Sequence, residues 1–427
     1  MNAGPPTPDT PDPRPALSGL ADVLRPAVAL YVDLHHRPEL SGDEHRTAAE
    51  LGKWLGDAGY EVTESVGGHG VVGVLRNGDG PRVMIRTELD ALPLTERTGL
   101  PYASEGPVAH ACGHDLHMAA AMGAASLLAG ARARDHWSGT LVVVGQPAEE
   151  TLTGARAMLA DGLYERFGRP DVVMAQHAVP LPAGMVAHGY GPVLAGSVGF
   201  EITVHGRGGH AGTPHLAVDP VLAASAAVLR LQGAVSRECA PGEQVVLNVG
   251  AFHAGTAGNL IPDRAELSVT VRALSDAALD RMTAAVERIV RAECAASGCP
   301  RDPEVRITSR SPVTHPDPEA TARVRAAHTT LYGPERVSAW PPSLATEDFP
   351  LYGDAGTELH GHSGIPLAYW MLGTISPTTW SNTPGTPAEK LAALPANHSP
   401  EFAPDVKTAL PTGIRALVSG VWGWVGR

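Results

Sequence analysis

Residues 110–150, HACGHDLHMAAAMGAASLLAGARARDHWSGTLVVVGQPAEE, hold the reading on which the fold turns. A thiol, three imidazoles and a carboxylate fall within the first eight of them. The Ala-rich run that follows reads as a buried helix. The LVVV between glycines then reads as a buried parallel strand, ending in Glu149 and Glu150. Soft and borderline donors at the mouth of a helix suit a transition metal. A packed Cys beside a helix-capping polar group would give the same letters, so the rest of the chain must decide.

Upstream, EVTES, GVVGVLR and RVMIRTEL are three short β runs separated by Gly and Asp turns. Gly68-His69-Gly70-Val71-Val72-Gly73 matches the dinucleotide GxGxxG pattern. That pattern needs a helix after it to carry the pyrophosphate, and here a second strand follows, which excludes the cofactor reading. The third run closes on Glu88 and Asp90, at i and i+2 on one face of a strand. An exposed acidic loop is the alternative for this segment alone. Downstream, DVVMAQH delivers His177 from another strand. Asp90, Glu149, Glu150 and His177 thus collect at strand ends, where α/β sheets place their chemistry, and His114 opens the helix between them. Adjacent carboxylates on an extended segment point apart, so one of Glu149 and Glu150 can bind metal while the other serves as a base. Nearer the start, residues 17–38 read as a helix in which His35 and His36 diverge by about 100° and cannot share an ion. They are expected as surface or supporting groups. Ser41 and Glu44 form an S-x-x-E capping box for the next helix.

The pattern changes near residue 195. Strands and amphipathic helices then follow in the order β-α-β-β-α-β, with Asp219 capping a helix that begins at Pro220. This implies a ferredoxin-like domain over 196–310 that interrupts an α/β domain made of 17–195 and 311–427. Residues 1–16, rich in Pro, read as a disordered tail. The expected fold class is therefore α/β, a mixed central sheet flanked by helices and interrupted by an inserted α+β domain. Inside the insert, the Gly-rich loops around His210 and Asn259 are read as turns carrying single polar groups. Toward the C-terminus, Asn397-His398-Ser399-Pro400 precedes a closing helix over about 405–425.

Composition narrows the class. The 427 residues carry a formal charge of −13 with no basic block, which argues against a nucleic-acid partner. Hydrophobic residues make up 43% and charged ones 18%, as in an ordinary globular protein. No stretch suits a membrane span, and the start lacks the pattern of a signal peptide. Four cysteines, Cys112, Cys239, Cys294 and Cys299, are too few for a disulfide framework in so long a chain, so a reducing, cytoplasmic setting is expected.

RTELDALP, HACGHDLHMA, QPAEE, GRGGHAGTPH, GTAGNLIPD and NHSPEF occur in one order. In that order they resemble the M20 metallopeptidase family, specifically its amidohydrolase branch of hippurate, N-acyl-amino-acid and indoleacetyl-amino-acid hydrolases. The resemblance spans residues 20 to 420. It implies two divalent ions (Zn, Mn, Co or Ni) held by Cys112, His114, Glu150, His177 and His398. It also implies Glu149 as general base and Asp90 as a supporting carboxylate. Glu88 stands where most M20 peptidases carry a ligand His, a departure shared by the amidohydrolase branch. From the insert, His210 resembles a residue that stabilises the oxyanion from the partner subunit. Asn259 and Arg272 resemble groups that bind the substrate carboxylate. A homodimer formed through the insert and a small N-acyl amino acid or amide as substrate are implied in the same way. A dipeptidase or carboxypeptidase on the same scaffold, and a non-catalytic metal-binding relative, are the alternatives.

Overall fold

The computed structural model describes residues 11–427. Residues 1–10 of the expected tail lie outside that range. The tail's upper bound is corrected, because Arg14–Leu17 already forms a helical turn with Ala16 buried. Two compact units result. One runs up to Gly191 and includes His315–Pro341 and Asp348–Arg427; the other is Pro192–Thr314 with Pro342–Glu347.

In chain order the first unit supplies β1 (Glu61–Val66), β2 (Gly70–Asn77), β3 (Arg82–Glu88), β4 (Gly139–Gln146), β5 (Val172–Pro182) and β6 (Val186–His188). The second supplies β7 (Gly196–His205), β8 (Gly209–His210), β9 (Val245–Ala254), β10 (Leu260–Ile261), β11 (Arg264–Ala273) and β12 (Glu304–Ser311). The chain then returns with β13 (Val337–Ala339) and β14 (Leu367–Ile375).

The first unit is built on a mixed sheet of order β1-β2-β4-β3-β5-β14-β6-β13. β1 and β2 form an antiparallel hairpin, so the GxGxxG letters run from the hairpin turn straight into β2. The four strands β4-β3-β5-β14 are parallel, and Glu88 pairs with Gln146, which sets the C-terminal ends of β3 and β4 side by side. Nearly every residue of these strands is buried, which is why they read as continuous apolar runs rather than alternating ones. The helix His114–Ala129 is buried on almost all sides, as expected of a helix that is apolar all round. Its small residues admit a close neighbour: a Cβ on Gly123 would lie 2.7 Å from Ile414 of the closing helix Val406–Val425.

The second unit has an antiparallel sheet of order β12-β7-β11-β9 with the helices Pro220–Arg237 and Asp276–Ala296. Val198, Phe200, Ile202 and Val204 alternate into its core with Leu267, Val269 and Val271. The second helix meets them with Leu279, Met282, Val286, Ile289 and Val290, one stripe at helical spacing. Asp219 caps the first helix by accepting from Val221 N–H.

The expected capping box does not form. The helix after Ser41 begins at His45 with no side-chain cap. Ser41 instead donates to Asp90 at 2.7 Å, and Glu44 accepts from Ala148 N–H at 2.8 Å. Distant buried partners outcompete the local capping pattern. Of the two readings for the tandem histidines, His35 takes the supporting one and His36 the surface one. His35 is buried between Asp115 (2.6 Å) and Glu96 (3.1 Å), while His36 is exposed.

Away from these strand ends, the core holds a pair of histidines. His188 on β6 lies 3.0 Å from His328, which in turn donates to Ala416 O at 3.0 Å. Burial drives His188 well below its usual range and His328 down to about 4. Both are thus neutral when folded, whereas an unfolded His takes a proton below about 6.5. Their contribution to stability is full above that value and is lost as pH falls toward 4, on the order of 3 kcal/mol for His328. His328→Gln keeps a donor and an acceptor but cannot titrate. Its melting temperature should fall less steeply than that of the wild type between pH 6.5 and 4.5, and parallel curves by circular dichroism would refute the assignment.

Candidate metal centre

Gly113 supplies the turn that shapes the site. It precedes His114 at φ 87°, a left-handed conformation that glycine adopts without a Cβ clash. A Cβ there would also meet that of Ala178 at 2.7 Å. With this turn the ligand atoms of Cys112, His114 and His177 lie within 4.8 Å of one another.

His114 and His177 are each oriented by the other nitrogen of the ring. His114 Nδ1 donates to Asp90 O at 2.9 Å, leaving Nε2 buried with no hydrogen-bond partner. That Nε2 lies 3.6 Å from Glu149 Oε2 and 3.9 Å from Glu150 Oε1. His177 Nδ1 donates to Ala178 O at 2.9 Å, and its Nε2 stands 3.5 Å from Cys112 Sγ. His398 Nε2 is 3.4 Å from Glu150 Oε2. Two donors on one tetrahedral ion are separated by about 3.4–3.6 Å, so these gaps fit a metal between them. Cys112, Glu150 and His398 form a second group with ligand atoms inside 4.8 Å, and Cys112 is common to both groups. The unpartnered buried His114 Nε2 and Glu150 Oε1 make the same point: polar atoms this deep need a partner.

The expected geometry of the paired glutamates needs correcting. β4 ends at Gln146, and Glu149 and Glu150 sit on a turn entered through Ala148 at φ 50°. They do not point apart as on a strand, and both reach toward His114 Nε2. Asp90 sits behind them, its Oδ2 accepting from Ser41 Oγ (2.7 Å) and Glu150 N–H (2.9 Å).

The electrostatics are those of clustered donors. Burial raises the Cys112 thiol, and Glu150 adds to the effect. Hydrogen bonds to Cys112 and Glu150 raise His398 to about 10. Burial drives His177 down to about 3. For His114 burial pulls downward, but Asp90 and Cys112 prevail and lift it well above its usual value. For Asp90 burial pulls upward most, but His114, Ser41 and the Glu150 backbone together outweigh it and lower it. Protons and a divalent ion compete for the same lone pairs in such a set.

Three expected residues, His210, Asn259 and Arg272, belong to the second unit and are placed within it. The β8–β10 ribbon pairs His210 with Leu260, which brings it beside Asn259; Ala211 N–H donates to Asn259 O at 3.1 Å. His210 and Asn259 are exposed, and Arg272 donates to Leu344 O at 2.8 Å. Asn397 carried no role in the sequence reading. Its amide donates to Cys112 O (3.1 Å) and Ala178 O (2.9 Å), tying the C-terminal loop to both. Its place beside His398 was the available signal.

The chain is similar to hippurate hydrolase from Campylobacter jejuni, at 38% identity over 322 residues, which cover 74% of this chain and 82% of that relative. It is also similar to thermostable carboxypeptidase 2 from Saccharolobus solfataricus, at 32% over 378 residues, covering 87% and 88%. The crystal structure of the YXEP protein from Bacillus subtilis, a dinuclear metal binding peptidase of the M20 family, superposes with a TM-score of 0.73. The two are 28% identical, and the match covers 94% of this chain and 98% of that one. Residues 84–391 match the model of peptidase family M20/M25/M40. With the metal-ready donor cluster at its strand ends, the chain belongs to this family of hydrolases acting on amide bonds.

Proposed function

We propose that this protein is a metal-dependent amidohydrolase that removes the acyl group from an N-acyl amino acid or a related amide. The observation that carries the reading is the pair of donor groups sharing Cys112, with Glu149 beside them. In this reading Cys112, His114, Glu150, His177 and His398 would hold two divalent ions, Zn, Mn, Co or Ni, and Cys112 belongs to both groups of donors. When bound, such ions supply Lewis acidity and lower the pKa of water toward ~7. Glu149 takes the proton of the attacking water and passes it to the departing amine nitrogen, so that amide and water become carboxylate and amine. Asp90 holds His114 and the Glu150 backbone in place. Reaching the active site of a second subunit, His210 donates to the oxygen that gathers negative charge there, and Asn259 and Arg272 bind the substrate's carboxylate.

The relative named hippurate hydrolase supports an N-acyl amino acid as substrate. The carboxypeptidase relative favours a second reading, a peptide substrate on the same scaffold. Exposed Leu222, Leu229, Phe252 and Ile307 on the second unit support a homodimer through the insert. No helix among the described residues is long and apolar enough to cross a membrane. A Cys112 kept as a thiol supports a reducing, cytoplasmic compartment.

The deciding experiment is hydrolysis of hippurate, other N-acyl amino acids and dipeptides, before and after chelation and with each metal restored. Acyl amino acids should be cleaved best, and chelator should abolish turnover. Faster cleavage of dipeptides would favour the peptidase reading, and no metal-restorable hydrolysis of any of them would favour a binding protein. Glu149→Gln should keep its metal while turnover falls ~10²–10⁴-fold; full activity would sink the base assignment. Cys112→Ser should lose metal content by elemental analysis while remaining folded, and unchanged content would remove it from the ligand set.

A further inference from the structure

β3 stops short of its neighbour. It pairs with β5 only from Val83↔Val172 to Ile85↔Met174 and ends at Glu88, while β5 runs on to Pro182. Along β5 the peptide groups alternate sides. Val173 N–H donates to Pro366 O ahead of β14, so odd residues face β14 and even residues face the β3 side. Ala178 is even and lies beyond the reach of β3. Its buried N–H and C=O therefore need partners that no strand provides.

Two side chains stand in, beside His177 Nδ1, which also donates to Ala178 O. His117 Nε2 accepts from Ala178 N–H at 2.7 Å, and Asn397 Nδ2 donates to Ala178 O at 2.9 Å. A ring nitrogen that accepts carries no proton, so His117 is the Nδ1–H tautomer. That Nδ1 donates to Glu88 Oε2 at 2.8 Å, and Glu88 is paired with Arg86, both wholly buried. The ring of His117 lies 4.9 Å from that of His177 and 5.5 Å from that of His114, centroid to centroid. Even so, it has no lone pair left for an ion.

We propose that His117 is a positioning residue for the metal centre. Held by Glu88, it replaces the missing strand at Ala178 N–H and fixes the His177–Ala178 peptide. The carbonyl of Ala178 anchors His177 Nδ1–H, so fixing that segment keeps His177 Nε2 aimed at Cys112 Sγ. The proposal rests on the metal reading given above.

The test titrates metal-free protein with Co²⁺, following the d–d and thiolate-to-cobalt bands together with calorimetry. Wild type should take two equivalents. His117→Phe keeps the ring volume and removes both nitrogens. It should retain the thiolate band while its affinity for one equivalent falls ~10–100-fold. His117→Gln offers an oxygen to the same N–H and should recover most of that loss. Wild-type affinity for both equivalents in His117→Phe would overturn the proposal, and so would a His117→Gln as weak as His117→Phe. Should His117→Phe fail to fold, His117→Asn, too short to reach Ala178, should show the same loss, and wild-type binding there would also overturn it. A wild-type chain that binds no cobalt overturns the metal reading and the proposal together, whereas tight binding in every variant overturns the proposal alone.

Discussion

A guanidinium taken out of water costs several kcal/mol unless its N–H groups all find acceptors, and Arg86 on β3 is wholly buried. Its Nε donates to Gln146 Oε1 at 2.9 Å, one Nη to Glu88 and the other to Asp348 Oδ1 at 2.8 Å. Asp348 also accepts from Gln146 Nε2 and from Ala155 N–H, each at 2.9 Å. The ends of β3 and β4, the turn after β4 and the segment at Asp348 are thereby fixed around one cation. Burial would raise Glu88, but Arg86 and His117 together hold it well below the usual carboxylate range. It stays ionised, and so remains a firm acceptor for His117.

Much of this was legible in the letters because it follows from local pattern. The apolar run of β4, the small-residue helix after Gly113 and the β-α-β-β-α-β order need only periodicity and turn chemistry. The carboxylates and imidazoles at the strand ends could be anticipated because a parallel sheet puts those ends on one edge. What was not legible depends on where a neighbour stops. Ser41 and Glu44 spell a capping box, yet Asp90 and the peptide of Ala148, far off in sequence, win both side chains. From the letters His117 reads as a supporting group near Cys112, one that orients the loop or caps the helix. Its role follows only from the early end of β3, which no single segment records.

The backbone of the site also departs from what its sequence suggests. Ala148, Leu152 and His398 all have positive φ, at 50°, 57° and 67°. For residues with a Cβ this conformation costs roughly 1–2 kcal/mol each. It persists where surrounding bonds over-determine it. Glu44 holds Ala148 by its N–H, Leu152 N–H donates to Glu149 O at 2.7 Å, and His398 N–H donates to Ala111 O at 2.8 Å. These unfavourable residues flank Glu149 and Glu150 or carry a candidate ligand.

That strain sets where the two adjacent carboxylates point. On an extended strand they would point to opposite faces. On this turn both reach toward His114 Nε2, so direction alone does not separate them. Glu150 is tied again, through its N–H to Asp90 and through Oε2 to His398. A carboxylate bound on several sides is suited to staying still and holding an ion. The left-handed turn at Ala148 thus swings both side chains to one side, and Asp90 and His398 hold Glu150 there.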